Sequence, residues 1–492
     1  MALPGLSPRQ RGFCALVARA AIANPFGEER QQIDRQIAGI GPNVPWERAN
    51  ALALDRIASE VGAMAEAGLA DLRQWSGEER RLLELTFAFE IFHRFAPELD
   101  AHIHEQTQAG DAPVLLGCAA SLLDAFRQRG FEAEALGRYV AVAFQIRRAF
   151  FFIGRSLVGR CRSMRRLRED LWNCVFTHDL EAYARSFVGR MEDFSTLILG
   201  QTGTGKGTAA AAIGRSGHIP FDAASRRFRE SFTRAFVAIN LSQFSPSLIE
   251  SELFGHRKGA FTGAVEAHQG VFAGCSPHGS IFLDEIGEVS TELQIKLLRL
   301  LEQRVFSPVG SHEKVRFQGR IVAATNRDLG RLRAEGRFRD DLYYRLCSDV
   351  ITVPPLRQRI AEDPRELNDL VEQVVAAILG APSPEVAAEV RRVIDRNLGP
   401  EYSWPGNVRE LEQCVRRVVL RRDYHGSQAA QGGDALSRLV EDLSAGRLPA
   451  RSLLSRYCAL LYDRCGTYEE VAAITGLDRR TVRKHVRDSH AD

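Results

Sequence analysis

Apolar positions in the first 150 residues recur at helical steps. Leu82, Leu83, Phe87, Ile91 and Phe95 share a face and follow a charged lead of Glu78, Glu79, Arg80 and Arg81. Ala, Leu, Glu and Arg dominate, and Pro45, Gly68, Pro97 and Gly110 mark turns. The segment shows neither strand-like alternation nor the βα pattern, ending in acids, of a phospho-receiver. Residues 1–150 are therefore expected to form an all-α regulatory bundle of unknown type. After Ile153 the pattern changes. Short apolar runs at Thr196–Leu199, Phe236–Ile239, Ser280–Leu283 and Arg320–Ala324 alternate with longer helical stretches. That rhythm predicts an α/β domain with a parallel sheet over 151–353, followed by a helical portion over 354–422. Residues 423–450, rich in Gly, Ser, Gln and Ala, read as a linker with one short helix, and 451–492 as a compact helical tail.

Composition narrows the class only slightly. A 492-residue chain is long for one core. Its 45% hydrophobic and 26% charged residues are ordinary for a soluble protein. A net charge of +3 is too small to imply nucleic acid by itself, so any basic surface must be local. The nine cysteines include no C-x-x-C pair, which points to reduced thiols rather than zinc or disulfides. The apolar run Tyr139–Ile153 is interrupted by Arg147 and Arg148, and the start MALPGLSPRQRGF lacks a secretory signal's apolar segment. A cytoplasmic protein without a membrane partner is expected.

Candidate chemistry enters after the first strand. Gly200, Gln201, Thr202, Gly203, Thr204, Gly205 and Lys206 lie between the strand TLIL and an alanine-rich helix. That is the setting of a P-loop: glycines let backbone N–H groups turn toward phosphate, the helix N-terminus adds its dipole, and Lys206 reaches the terminal oxygens. Gly207 replaces the usual hydroxyl residue, leaving Thr208 as a weak substitute. The strand Ile281-Phe-Leu ends in Asp284 and Glu285, where ligands of parallel sheets gather. Asp284 is placed to hold Mg2+ and Glu285 to polarise an attacking water. Further on, Gly259, Ala260, Phe261, Thr262, Gly263 and Ala264 form a run too poor in packing surface for a core, and so an exposed, bendable loop.

These motifs, in this order from about Phe152 to Leu420, resemble the AAA+ core of the bacterial enhancer-binding proteins, activators of RNA polymerase carrying sigma-54. The string Ser251–Ala264, ending in GAFTGA, fits that family closely. The family also lacks a hydroxyl after its P-loop lysine, usually having glutamate. The resemblance implies that Asn240 restrains Glu285, and that Thr325 and Asn326 form the first sensor at a strand end. It implies that Arg339 and Arg345 are fingers supplied in trans within a hexameric ring, and that Arg409 reaches the nucleotide from a helical lid. It implies ATP with Mg2+ as cofactors, sigma-54 holoenzyme as the partner of residues 259–264, and hydrolysis coupled to promoter opening. A different P-loop machine would explain the nucleotide site but leave that loop without purpose. A repressor with a vestigial ATPase would have lost catalytic groups that are all present here.

The tail reads as helix, glycine turn, helix, with Val471, Ala472, Leu477, Val482 and Val486 facing inward. The second helix presents Arg479, Arg480, Thr481, Arg483, Lys484 and Arg487, which suits a recognition helix meeting phosphates and base edges of upstream double-stranded DNA. It resembles the Fis-type module of the same family. His93, Glu98, Asp100, His102, His104 and Glu105 crowd together, but Pro97 breaks the helix there and the spacing matches no metal motif. This cluster reads as a solvated polar segment.

Overall fold

Five strands, continuously apolar where they are central, form a parallel sheet in the order β4-β5-β8-β1-β9. They are β1 (Thr196–Leu199), β4 (Phe236–Asn240), β5 (Ser280–Asp284), β8 (Arg320–Thr325) and β9 (Asp349–Thr352). Two short ribbons, β2 (Phe221–Asp222) with β3 (Arg227–Phe228) and β6 (Val305–Phe306) with β7 (Val315–Arg316), lie outside it. The computed structural model describes residues 5–426, 439–440, 442–443, 446 and 448–489. Most of the linker expected over 423–450 lies outside the described residues. Four strands match the apolar runs. β9 escaped sequence reading because Asp-Val-Ile-Thr offers one buried side chain, Ile351, on an edge strand.

The N-terminal half is helical, as its periodicity predicts: α1 (Pro8–Ile22), α2 (Glu28–Ala38), α3 (Trp46–Glu66), α4 (Gly77–Arg94), α5 (Ala96–Ala109), α6 (Ala119–Gln128), α7 (Leu136–Ser156) and α8 (Arg162–Phe176). The border expected near residue 150 falls inside α7, which runs unbroken across it. The short α9 (Leu180–Ala182) and a π-turn at Tyr183–Phe187 then lead to β1, and α10 (Lys206–Gly214) follows the P-loop. One apolar cluster extends from Leu6 through the bundle to Val353 in the sheet region. Polar ties reinforce this joint. Arg148, fully buried, donates from both terminal nitrogens to the carbonyls of Arg215 and Gly217, each at 2.7 Å. The Gln145 carboxamide donates to the Ser216 carbonyl at 3.0 Å. Helix α7 thereby satisfies carbonyls left open at the C-terminal end of α10.

The chain divides into two compact units. One runs up to Gln373 and includes Gly406–Arg409; the other comprises Val374–Pro405 and Glu410 onward. In the second unit, helices at Ala450–Cys465, Tyr468–Thr475 and Arg479–Ser489 close a small core of Cys458, Leu461, Val471, Val482 and Val486. Ala472 and Leu477 pack against it, so the inward positions read from the sequence are those observed. Gly476, at φ 69°, ends the middle helix in the left-handed conformation.

The polar cluster at residues 93–105 is only partly solvated, which corrects the expectation. His102 is buried against Phe144 and Phe228, and burial, with Arg148 nearby, pushes its imidazole down to about 4. Asp100 is half-buried and pairs with Arg147. Glu98, His104 and Glu105 are exposed. Pro97 begins α5 instead of merely interrupting a helix. No helix of the described residues is long and apolar enough to cross a membrane.

Candidate nucleotide site and the 259–264 loop

The carboxyl ends of β1, β4, β5 and β8 converge. Asn240 lies beside Asp284 in register, as Leu199 does beside Thr325. From β1 the chain turns through the P-loop into α10. Gly203 and Gly205 sit at φ 78° and 101°, which disfavour any side chain, and a Cβ on Gly203 would lie 2.2 Å from the Gly406 carbonyl oxygen. Gly207 is different: it has no such φ, and a Cβ there would meet only the Phe282 ring at 3.8 Å. Space and backbone alike therefore permit the glutamate usual in the family. Lys206 is buried and donates to the Gly200 carbonyl at 3.0 Å, so its ammonium lies against the loop. Gly207 and Thr208 are exposed on the first turn of α10.

Glu285 follows β5 in a left-handed conformation, φ 58°, and its backbone N–H donates to Asp284 Oδ1 at 3.0 Å. Its Oε2 accepts from the Asn326 backbone N–H at 3.3 Å. The Asn326 carboxamide in turn donates to Thr202 Oγ1 at 2.7 Å, linking the end of β8 to the P-loop. Thr204 and Thr325 act locally: each hydroxyl closes a turn, on the Gln201 carbonyl and the Arg327 N–H. Asn240 does not touch Glu285 by hydrogen bond among the described residues. Its Oδ1 accepts from the Ser242 backbone and hydroxyl at 2.9 and 2.8 Å, capping the next turn.

Neither Arg339 nor Arg345 joins the nucleotide site of its own chain by a hydrogen bond or ion pair among the described residues. Arg339, exposed, forms a two-pronged pair with Asp341 at 3.0 and 2.7 Å. Arg345 donates to the Leu301 carbonyl at 3.2 and 3.0 Å. Arg409 meets the P-loop through its backbone N–H, 3.3 Å from the Gly203 carbonyl, while its side chain is exposed.

Sequence reading overlooked Asn407, two residues before Arg409. It is buried at φ 52°, a conformation asparagine tolerates better than most residues. Its Oδ1 accepts from the Leu356 N–H at 2.8 Å, and its amide donates to the Thr202 carbonyl at 3.0 Å and to Gln201 Oε1 at 3.2 Å. The signal was available, since asparagine tolerates the left-handed conformation, but Arg409 two residues on drew the functional reading. Asn407→Ala strands the Leu356 N–H and places alanine at positive φ. We expect a loss of about 2–3 kcal/mol in stability, read by urea unfolding followed by circular dichroism. Asn407→Asp, which keeps the acceptor, should lose less.

The 259–264 run is an excursion anchored at its base. His256 bridges to His268 and Val309, and a Cβ on Gly270 would lie 2.2 Å from the Gly255 nitrogen, so only glycine permits this crossing. Within the loop, the Gly259 N–H donates to the Ala264 carbonyl at 2.8 Å, and Ala264 N–H to the Phe261 carbonyl at 3.0 Å. Ala264 is buried, Ala260 half-buried; Gly259, Phe261, Thr262 and Gly263 are exposed. The Phe261 ring rests 5.0 Å from His256.

In the tail, Asp478 caps the last helix through the Arg480 and Thr481 N–H groups, and the Thr481 hydroxyl donates back to it. Arg479 pairs with Glu469 at 2.9 Å. Arg480, Arg483, Lys484 and Arg487 are exposed along the helix.

A parallel sheet whose strand ends unite a P-loop, an acidic pair and a sensor-like asparagine defines a P-loop domain of the AAA+ type. A family model described as the Sigma-54 interaction domain matches residues 180–352. The Nif-specific regulatory protein of Azotobacter vinelandii is 44% identical over 226 residues, covering 46% of this chain and 40% of its own length. The DNA-binding transcriptional regulator NtrC of Azospirillum brasilense is 36% identical over 330 residues, covering 60% and 64%. The C4-dicarboxylate transport transcriptional regulatory protein DctD of Pseudomonas aeruginosa is 34% identical over 346 residues, covering 66% and 67%. The match thus spans less than two thirds of the first two relatives. The chain belongs to the family of transcriptional regulators that carry the sigma-54 interaction domain.

Proposed function

We propose that this protein is an ATP-hydrolysing transcription activator that remodels sigma-54 RNA polymerase holoenzyme in the cytoplasm, tethered to upstream DNA by its tail. The observation that carries this reading is one compact unit holding both the P-loop with Asp284 and Glu285 and the anchored loop with exposed Phe261 and Thr262, inside the sigma-54 interaction match. The positive-φ glycines and the buried lysine suit a phosphate cradle. ATP would be held by the amides of residues 200–205 with Lys206, Gly207 and Thr208, and Mg2+ by Asp284 with water. Bound Mg2+-ATP supplies the phosphoanhydride bond whose cleavage powers the cycle. Glu285 takes the proton of the attacking water, and Asn326 ties it to the P-loop. Asn240 reaches Glu285 only by exchanging its present cap on Ser242.

Arg339 and Arg345, spent locally within their own chain, are proposed to complete the site of a neighbouring subunit in a hexameric ring, and Arg409 to contact the nucleotide. Arg480, Arg483, Lys484 and Arg487 provide the DNA-facing charge, with Arg479 and Thr481 at the helix start. Mixing an Arg345→Ala chain with a Glu285→Gln chain tests the ring. Each alone is expected to be inactive, and mixed rings should recover part of the ATPase. Inactive mixed rings, shown to have formed, would overturn action in trans.

A further inference from the structure

The N-terminal helices line a partly open cavity of about 780 Å3, within the size range of small-molecule sites. Its walls are aromatic and aliphatic, among them Trp46, Phe89, Phe92, Phe150 and Trp172. Charged groups in the walls are largely engaged with one another. Arg147 pairs with Asp100 at 2.6 Å, Arg30 with Asp34 at 2.8 Å and Arg81 with Glu181 at 2.9 Å, while Glu84 accepts from the Tyr139 hydroxyl. Arg138 and Arg185 also border the cavity but are exposed, so their charge stays hydrated.

Two acceptor-bearing side chains in the walls remain without a hydrogen bond among the described residues. The Asn50 carbonyl oxygen is buried and unpartnered. The His93 imidazole lies between Phe89 and Phe92, at 4.3 and 4.9 Å, and has no hydrogen-bond partner among the described residues. Burial, helped by the guanidiniums of Arg30 and Arg147, holds the His93 ring well below its usual pKa, hence neutral, with one donor and one acceptor. A buried acceptor left unpaired is costly unless something meets it.

We infer that this cavity binds an uncharged, largely apolar organic molecule whose hydrogen-bonding group is met by Asn50 and His93. Outside the existing ion pairs, a carboxylate would find only the hydrated guanidiniums of Arg138 and Arg185 at the border, and an ammonium only Glu84, already bonded to the Tyr139 hydroxyl, whereas a hydroxyl, carbonyl or N–H finds ready partners inside. The site is separate from the nucleotide reading and stands or falls without it. It is also mechanically placed: Val142, Ala143 and Ile146 of α7 line the cavity, while Gln145 and Arg148 of the same helix hold the end of α10.

Two fluorescent probes differing by one charge test this on the full chain. N-phenyl-1-naphthylamine is neutral with a single N–H, and 8-anilino-1-naphthalenesulfonate adds a sulfonate to the same skeleton. The neutral probe is expected to saturate at one per chain and to bind at least about tenfold more tightly than the sulfonate. Ala88→Trp and Val142→Trp, each filling the cavity, should abolish binding while far-UV circular dichroism is unchanged. Asn50→Leu with His93→Leu should weaken it roughly five- to tenfold, the size of one neutral hydrogen bond. Should a tryptophan variant fail to fold, the leucine pair decides. Absence of saturable binding, equal or tighter binding of the sulfonate, or binding indifferent to these substitutions would overturn the assignment.

Discussion

Glu285→Gln is expected to bind ATP as tightly as the unaltered chain yet hydrolyse it at least about a hundredfold more slowly, the usual size of a lost general base. Glutamine keeps the length of the side chain and an oxygen that accepts the Asn326 N–H, so the tie between β5 and β8 survives. The backbone strain at φ 58° is the same for either residue. Only the capacity to take a proton disappears. Lys206→Ala is the matched control: it removes a phosphate grip without touching the base, so binding itself should weaken. Phosphate release and binding of a fluorescent ATP analogue, measured on both variants, separate the two roles. Turnover by Glu285→Gln at the unaltered rate would remove Glu285 from the mechanism.

Thr262→Ala is expected to leave ATP hydrolysis and DNA binding within about twofold of normal while transcription from a sigma-54 promoter falls more than about tenfold, as loss of a central contact residue does. The loop is held by backbone bonds between residues 257 and 265 and by Phe261 against His256, and the Thr262 hydroxyl takes part in none of these. Removing it therefore leaves the loop folded and changes only what the tip offers a partner. ATPase and transcription assays on one preparation distinguish three cases. A simple turn would leave both activities intact, part of the active site would lose both, and a partner-engaging tip loses transcription alone.

What the sequence made legible divides along physical lines. The P-loop, Asp284 with Glu285, and residues 259–264 depend on local backbone chemistry and strand periodicity; the first two stand at strand ends as read, and the loop is exposed at Gly259 and Phe261 to Gly263, while Ala264 turns inward. The tail's inward valines follow helical spacing over a few turns and were equally legible. Readings that depended on tertiary partners fared differently. The Asn240 carboxamide is engaged by Ser242, two residues along, a local turn that competes with the distant partner Glu285. Asn407 gains its importance from residues some fifty and two hundred positions away in the chain. His102 looked solvated because its sequence neighbours are polar, yet α7 and the β3 ribbon place Phe144 and Phe228 over it. The border near residue 150 looked natural because composition shifts there, but composition says nothing of a helix that serves both sides.

That shared helix limits where this chain can be cut and rejoined. A join made at residue 150 would discard Arg148 and leave the carbonyls of Arg215 and Gly217 facing bare apolar surface, among it Ile213 and Phe232. Any segment grafted at that point would meet a P-loop domain whose helix α10 had lost its support. A chimaera that keeps this joint would carry the stretch from α7 to β1 with the P-loop domain, placing the join upstream of Leu136 and not where the amino-acid composition changes.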